Sequence, residues 1–330
     1  VRIDVVGGGS LGLLFGAMLA EAGADITIWT RSEEQAVLLA EKGIRLLELG
    51  GKAERIIPVK SSWIGHAAHA ARSEIGDRED NNYRWIWLTV KQTDINDELL
   101  AKLNELTSST ETAPTAVVCL QNGIGHLEQI ERVLSQTPLY AAVTTEGAKR
   151  LDARTVEHTG KGQLWLGEWN ASTRASYKIL DLSQEMLVIM LQSAGFSSFL
   201  SKDLKNRIFN KLLINAVINP LTAIFNVTNG ELAKDPLREK LMRALYSETE
   251  KILVAAGMDM PKNGWQLIID VCEQTSRNIS SMLSDVRAGR ITEIDAINGG
   301  VARHAAMRDM QAPLNQAIAE LVQALHPKQK

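Results

Sequence analysis

The sequence predicts an α/β protein, a Rossmann-type doubly wound parallel sheet followed by an all-helical carboxy-terminal half. Three observations carry this reading. A strand, a glycine-rich turn, a helix and a second strand follow one another within the first thirty residues. Further apolar strand candidates at Trp85–Val90, Ala116–Leu120 and Leu139–Thr144 mostly alternate with helical patterns. From Asp203 onward the chain reads as helix nearly throughout, punctuated by Gly230, Gly257 and Pro261. The boundary is therefore placed near 200, with an α/β domain over 1–200 and a helical domain over 201–330.

Taken in order, Ile3–Val6 is a short apolar strand and Leu11–Ala22 an apolar helix stopped by Gly23. Asp25–Trp29, rich in β-branched and aromatic residues, is the second strand. Together they form a βαβ unit, whose crossover is right-handed and whose strands are parallel. Residues 60–84 mix Ser, His, Ala, Arg, Asp and Asn without a clean period and read as an exposed helix or loop. The polar stretch after His326 reads as a loose tail.

Composition narrows the function classes. With 45% hydrophobic and 23% charged residues in 330, the chain is an ordinary globular protein. A net charge of −3 leaves no basic surplus for nucleic acid. Cys119 and Cys272 show neither CxxC nor His spacing, which excludes a disulfide framework and a zinc site and fits a reducing cytoplasm. No run of 18 apolar residues predicts a membrane span. Arg2, the apolar run and Ala20-Glu21-Ala22 mimic a signal peptide, but Asp4 and the glycine cluster argue against one. A soluble cytoplasmic protein is expected.

Gly7-Gly8-Gly9-Ser10-Leu11-Gly12 matches GxGxxG at the place where dinucleotide binding requires it, after a strand and opening a helix. Gly7 permits the tight turn, Gly9 lets backbone approach a pyrophosphate, and Gly12 allows close helix–strand packing. The helix N-terminus adds N–H groups and partial positive charge. At the end of the second strand, where NAD sites usually carry an acid, the chain reads Trp29-Thr30-Arg31-Ser32. Arg31 suits a 2′-phosphate or adenine stacking, the alternative being a solvated arginine, and NADP(H) is preferred.

Lys211, Asn215 and Asn219 share one face of an otherwise apolar helix. Such a buried polar stripe must be paired internally or line a polar cavity. Pro220 predicts that the helix ends or kinks at Asn219. A second polar cluster spans Asn278 to Asp285 and continues at Thr292-Glu293-Ile294-Asp295, where Thr292 is a candidate cap. Asp295 reads as complementing a helix dipole, while for Glu293 that role competes with one beside a substrate, which spacing alone does not separate. Thr89-Val90-Lys91 and Gln121-Asn122-Gly123 each follow a predicted strand, where α/β sheets bind ligands, although Asn122-Gly123 is equally a turn pair.

On these residues the chain resembles the ketopantoate reductases (2-dehydropantoate 2-reductases), NADPH-dependent enzymes of pantothenate synthesis. The most specific parts are the glycine motif, Lys211 through Asn219-Pro-Leu-Thr-Ala, Asn229-Gly-Glu-Leu, and Ser280-Ser-Met with Thr292-Glu-Ile-Asp. The resemblance implies a Rossmann domain and a helical domain like that of 6-phosphogluconate dehydrogenase. It makes Lys211 the proton donor and Glu293 a contact of substrate and cofactor ribose. Asn215, Asn219 and Ser281 would hold ketopantoate, Asn122 and Lys91 would lie toward the nicotinamide, and Asn229 and Asn278 belong to the same motifs. Two departures stand out: a longer segment around 60–84, and Asp94 where members often carry Gln. Hydride addition builds negative charge on the ketone oxygen, which a cationic lysine stabilises and protonates. No metal is needed. The expected partner is a small molecule, with neither nucleic acid nor membrane, and a homodimer is left open. Rival readings are a reductase of another 2-keto or 3-hydroxy acid, or a non-catalytic NADP(H) sensor, which would dispense with Lys211.

Overall fold

The computed structural model describes residues 1–50, 53–68, 83–108, 115–169 and 177–327. They form two compact units, one of Val1–Gln121 with His126–Leu204 and one of Asn122–Gly125 with Lys205–Lys330.

In the first unit, β1 (Arg2–Val6), β2 (Asp25–Thr30), β5 (Lys60–Trp63), β6 (Arg84–Leu88), β7 (Thr115–Cys119) and β8 (Leu139–Thr144) run parallel. Their order, β5-β2-β1-β6-β7-β8, reverses direction at β1, so the switch point of the sheet lies between β1 and β6. β11 (Gln163–Glu168) adds antiparallel to β8, and β12 (Ser197–Leu200) lies parallel beside it. A smaller sheet of order β4-β3-β10-β9 joins β3 (Ile44–Leu47), β4 (Glu54–Ile57), β9 (Gly147–Arg150) and β10 (Thr155–Gly160). The helices here are α1 (Ser10–Glu21), α2 (Glu33–Lys42), α3 (Asp97–Ser108), α4 (His126–Val133) and α5 (Tyr177–Ser193).

The βαβ unit forms as its sequence dictates, and α1 packs against both sheets, touching β2 as well as β3, β9 and β10. That burial explains why SLGLLFGAMLAE is apolar nearly all round: Leu13, Leu14, Phe15, Ala17 and Leu19 are all buried. Asp4, in the middle of β1, is fully buried; it accepts from Arg84 Nε at 2.6 Å and Trp29 Nε1 at 2.7 Å. A carboxylate is tolerated there because charge and hydrogen bonds compensate it together.

The segment beginning at 60 differs from the exposed helix or loop expected. Lys60–Trp63 is a strand, paired with Thr27–Thr30 at the edge of the large sheet, and a 3-10 turn follows over Ile64–His66. Its polar composition suits an edge, where one side needs no apolar partner. Residues 69–82 and 328–330 lie outside the described residues.

The second unit is built on α6 (Leu204–Phe225), with α7 (Asn229–Leu232), α8 (Pro236–Ala255), α9 (Gly264–Gln274), α10 (Ser281–Arg287), α11 (Ile294–Ala306) and α12 (Pro313–Gln323). By composition α6 is long and apolar enough to cross a membrane, yet 61% of its apolar window is buried, as befits the core helix of this unit. Leu212, Leu213, Ala216, Val217 and Leu221 lead its core face.

Of the end or kink predicted at Pro220, the end does not occur: α6 runs through it to Phe225. Proline removes the N–H that would donate to the carbonyl four residues earlier, that of Ala216. Asn298 Nδ2, from α11, donates to Ala216 O at 2.9 Å instead. A tertiary hydrogen bond thus replaces the missing helical one.

Candidate active site

The glycine motif forms the turn between β1 and α1, and its glycines are required for different reasons. Gly7 has φ +119°, a conformation that a side chain would strain, and its N–H donates to Trp29 O at 2.9 Å. A Cβ on Gly12 would stand 1.9 Å from Gly7 O and 2.6 Å from Thr89 Oγ1. Thr89 Oγ1 in turn bonds Gly7 O at 2.9 Å, tying the turn to the loop after β6. Beyond its chain neighbours and the adjoining helix backbone, a Cβ on Gly9 would meet nothing within 4 Å among the described residues. Gly9 caps α1 without a side-chain bond, and the first turn carries no acid. The result is an open space before an uncapped helix N-terminus, with Ser10, Leu11 and Gly12 as its first residues, which suits a pyrophosphate.

Two residues not anticipated from the sequence brace this turn. Gln35 Nε2 and Arg150 Nη1 both donate to Gly8 O, at 2.9 and 3.1 Å, and Arg150 N donates to Ser10 Oγ at 3.0 Å. No local pattern announces them, since β9 brings Arg150 back from 140 positions away. At the end of β2, Arg31 is 90% exposed and lies 3.4 Å from Asp94 Oδ1. The departure at 94 thus falls on Arg31. Lys91 caps the short 3-10 turn Gln92–Asp94 in the same unit.

The second unit gathers the polar residues of α6 and α11. Lys211 lies where burial pushes its ammonium down to about 8 while the Glu293 carboxylate opposes the shift. Glu293 holds the N-cap position of α11, one residue past the candidate Thr292. Its side chain makes no capping bond; instead Asn122 Nδ2 donates to Glu293 Oε2 at 3.2 Å. Thr292 Oγ1 lies 2.8 Å from His326 Nε2 and also accepts from Ile294 N, the first N–H of α11, at 3.4 Å. Asn122 reaches this place because Asn122–Gly125 clusters with the helical unit, where Ile124 N donates to Ala296 O at 3.2 Å. Gly123, at φ +80°, would place a Cβ 2.5 Å from that same carbonyl.

Lys211, Glu293 and Asn122 are therefore brought together, and Asn215 and Asn219, half-buried, continue the Lys211 face. Asn229 and Asn278 come together in a cluster of their own: Asn229 N donates to Asn278 O at 3.1 Å and Asn229 Nδ2 to Thr275 Oγ1 at 2.8 Å, while Asn229 Oδ1 is buried with no hydrogen-bond partner among the described residues. Ser281 opens α10 and is exposed; the buried Ser280 before it is the cap, accepting from Leu283 N at 3.0 Å and lying 2.7 Å from Thr222 Oγ1 on α6. Among the described residues no group of three or more His, Cys, Asp or Glu could hold a metal. A buried lysine tempered by a carboxylate, with amides beside it, is chemically able to stabilise and protonate an oxyanion formed from a small polar carbonyl.

Known proteins match this chain throughout. The family described as ketopantoate reductase PanE/ApbA matches residues 3–171, and its C-terminal model matches residues 203–326. The 2-dehydropantoate 2-reductase of Bacillus subtilis is 32% identical over 315 residues, covering 94% of this chain and 93% of that one. The crystal structure of a probable 2-dehydropantoate 2-reductase from Bacillus subtilis superposes with a TM-score of 0.77 at 29% identity, covering 99% of this chain and all of that one. D-mandelate dehydrogenase, solved with NADH and anilino(oxo)acetate, shares the fold with a TM-score of 0.81 at 23% identity over 98% of each chain. Two family models in the expected order, together with a relative above 30% identity along almost the whole length, show that the chain belongs to the ketopantoate reductase family.

Proposed function

We propose that this protein reduces ketopantoate to pantoate with NADPH, in the formation of a coenzyme A precursor. The observation that carries the reading is the meeting of Lys211, Glu293 and Asn122 in the helical unit. The open glycine turn supports a dinucleotide, with Gly7, Gly8, Gly9, Ser10, Leu11 and Gly12 holding the pyrophosphate and Arg31 the 2′-phosphate. When bound, the reduced nicotinamide supplies the hydride for the C2 ketone. The protein's own work is placement and proton supply. Asn215, Asn219 and Ser281 orient the keto acid, with Asn229 and Asn278 assigned to the same task. Lys91 lies toward the nicotinamide, and Lys211 gives its Nζ proton to the ketone oxygen as negative charge develops there. Glu293 keeps Lys211 charged further up the pH scale than burial alone would allow.

The pair Arg31–Asp94 favours a second reading of the cofactor. Asp94 competes with a 2′-phosphate for the guanidinium and could accept from an unphosphorylated ribose, so NADH is the alternative. The fold itself does not choose among 2-keto acids.

Initial rates of NADPH consumption with ketopantoate, with a panel of other 2-keto acids and with NADH substituted, test both points. Fast turnover on ketopantoate with NADPH is expected. Preference for another keto acid would move the substrate, and tight NADPH binding without turnover on any acid would favour a sensor. The pH profile adds a mechanistic check. A donor must be protonated, so reduction should fall as pH rises through about 8, the value at which the Lys211 ammonium is lost. Glu293→Gln removes the charge that raises Lys211 and should move this limb to lower pH. A rate independent of pH across that range would exclude Lys211 as donor.

A further inference from the structure

We infer that Asn298, outside the reacting groups, is a positioning residue that fixes Lys211 against Glu293 through the carbonyl that Pro220 leaves open. The inference rests on the role proposed for Lys211. Asn298 is fully buried, and its Nδ2 donates both to Ala216 O at 2.9 Å and to Asn315 Oδ1 at 3.0 Å. Two acceptors on one amide nitrogen leave no freedom to flip. Asn315, also fully buried, is held in turn: its Nδ2 donates to Glu248 Oε1 at 2.9 Å and Thr249 Oγ1 at 3.1 Å. The amide that reaches α6 is therefore anchored to α8 and α12 as well as to its own helix.

The geometry connects this anchor to the reacting groups. Asn298 lies five residues after Glu293, and Ala216 five residues after Lys211, so the tie sits about 7.5 Å along each helix from its polar group. Ala216 also stands between Asn215 and Asn219. With an ordinary residue at 220, Ala216 O would already accept within α6, and the bond from Asn298 would be its second rather than the one that satisfies it. Pro220 frees that carbonyl, and the fully buried position of Ala216 leaves it no water to turn to. The arrangement is not the one best suited to stability alone, because Asn298 Oδ1 is buried with no hydrogen-bond partner among the described residues. A polar side chain that forgoes one hydrogen bond to make another is well explained by the register that it imposes.

The test uses Asn298→Ala, Pro220→Ala and the double variant. Four readouts apply: thermal midpoint, NADPH affinity, kcat and KM on the 2-keto acid that the wild type reduces fastest, and the Lys211 titration. The last is followed without turnover, from the pH dependence of amine-reagent labelling mapped by mass spectrometry. Asn298→Ala should lower the midpoint and cut kcat on the order of 100-fold, the cost of misplacing a catalytic group by about 1 Å. NADPH affinity should hold, and Lys211 should titrate lower as it moves away from Glu293. In the double variant, Pro220→Ala restores a backbone N–H at position 220 that can serve Ala216 O, so the midpoint should recover while kcat and the Lys211 titration stay altered. Recovery of kcat together with the midpoint would reduce Asn298 to a structural role and overturn the proposal, as would an unchanged kcat and Lys211 titration in Asn298→Ala. A wild type inert toward every keto acid would overturn the proposed reaction instead, while the labelling arm would still decide whether Asn298 positions Lys211.

Discussion

Lys211→Ala is expected to lower the turnover of ketopantoate on the order of 100- to 10,000-fold, the usual share of a positioned proton donor. NADPH affinity should change little. The glycine turn belongs to the other compact unit and depends on Gly7, Gly12, Thr89, Gln35 and Arg150, none of which involves Lys211. The loss should appear in kcat rather than KM, since a proton given to a developing alkoxide stabilises the transition state more than the bound ketone. The Lys211 limb of the pH profile should vanish with the side chain. Turnover within a few-fold of wild type, or a loss confined to KM, would remove Lys211 from the chemistry and return it to substrate binding.

The second large effect is expected at the glycine turn, where two substitutions should behave differently. Gly12→Ala forces a methyl to within 1.9 Å of Gly7 O, a backbone atom held by the Thr89 hydroxyl in a turn that Gly7 N–H ties to β2. The turn must shift, so both the thermal midpoint and NADPH binding should suffer, the latter by about 100-fold or more, or roughly 2.7 kcal/mol. Gly9→Ala introduces a methyl into open space. Its midpoint should match the wild type, and only NADPH binding should weaken, because the methyl occupies the room where backbone and pyrophosphate would meet. Equal NADPH affinity in Gly9→Ala and wild type would mean that this space is not the phosphate site. Isothermal titration and thermal unfolding of the same two variants provide the comparison.

Features written in local spacing were legible from the sequence. The glycine turn is one, since strand, turn and helix are contiguous; the polar face Lys211, Asn215, Asn219 is another, since four-residue spacing fixes a helix face before any packing is known. Features made by distant chain segments were not. The small sheet joins β3 to β10 across more than 100 residues, with Ile44–Leu47 and Thr155–Gly160 too short to announce each other. Lys60–Trp63 is a strand because β2 offers an edge, not because KSSW resembles one. At Pro220 the local rule pointed to an end or a kink; the helix continues, and Asn298, 78 positions later, supplies Ala216 O with the donor that the proline lacks. Glu293 shows the same limit: its place before an apolar helix allowed a dipole role, and only the bond from Asn122 reveals that the carboxylate faces another way.

In the proposed reaction a hydride passes from NADPH to C2 of ketopantoate. NADPH deuterated at the transferable position is incubated with enzyme and ketopantoate, and the acid produced is read by mass spectrometry. The expected product is pantoate carrying one deuterium at C2, its hydroxyl hydrogen exchangeable with solvent. Unlabelled pantoate, or consumption of the cofactor without pantoate, would contradict it.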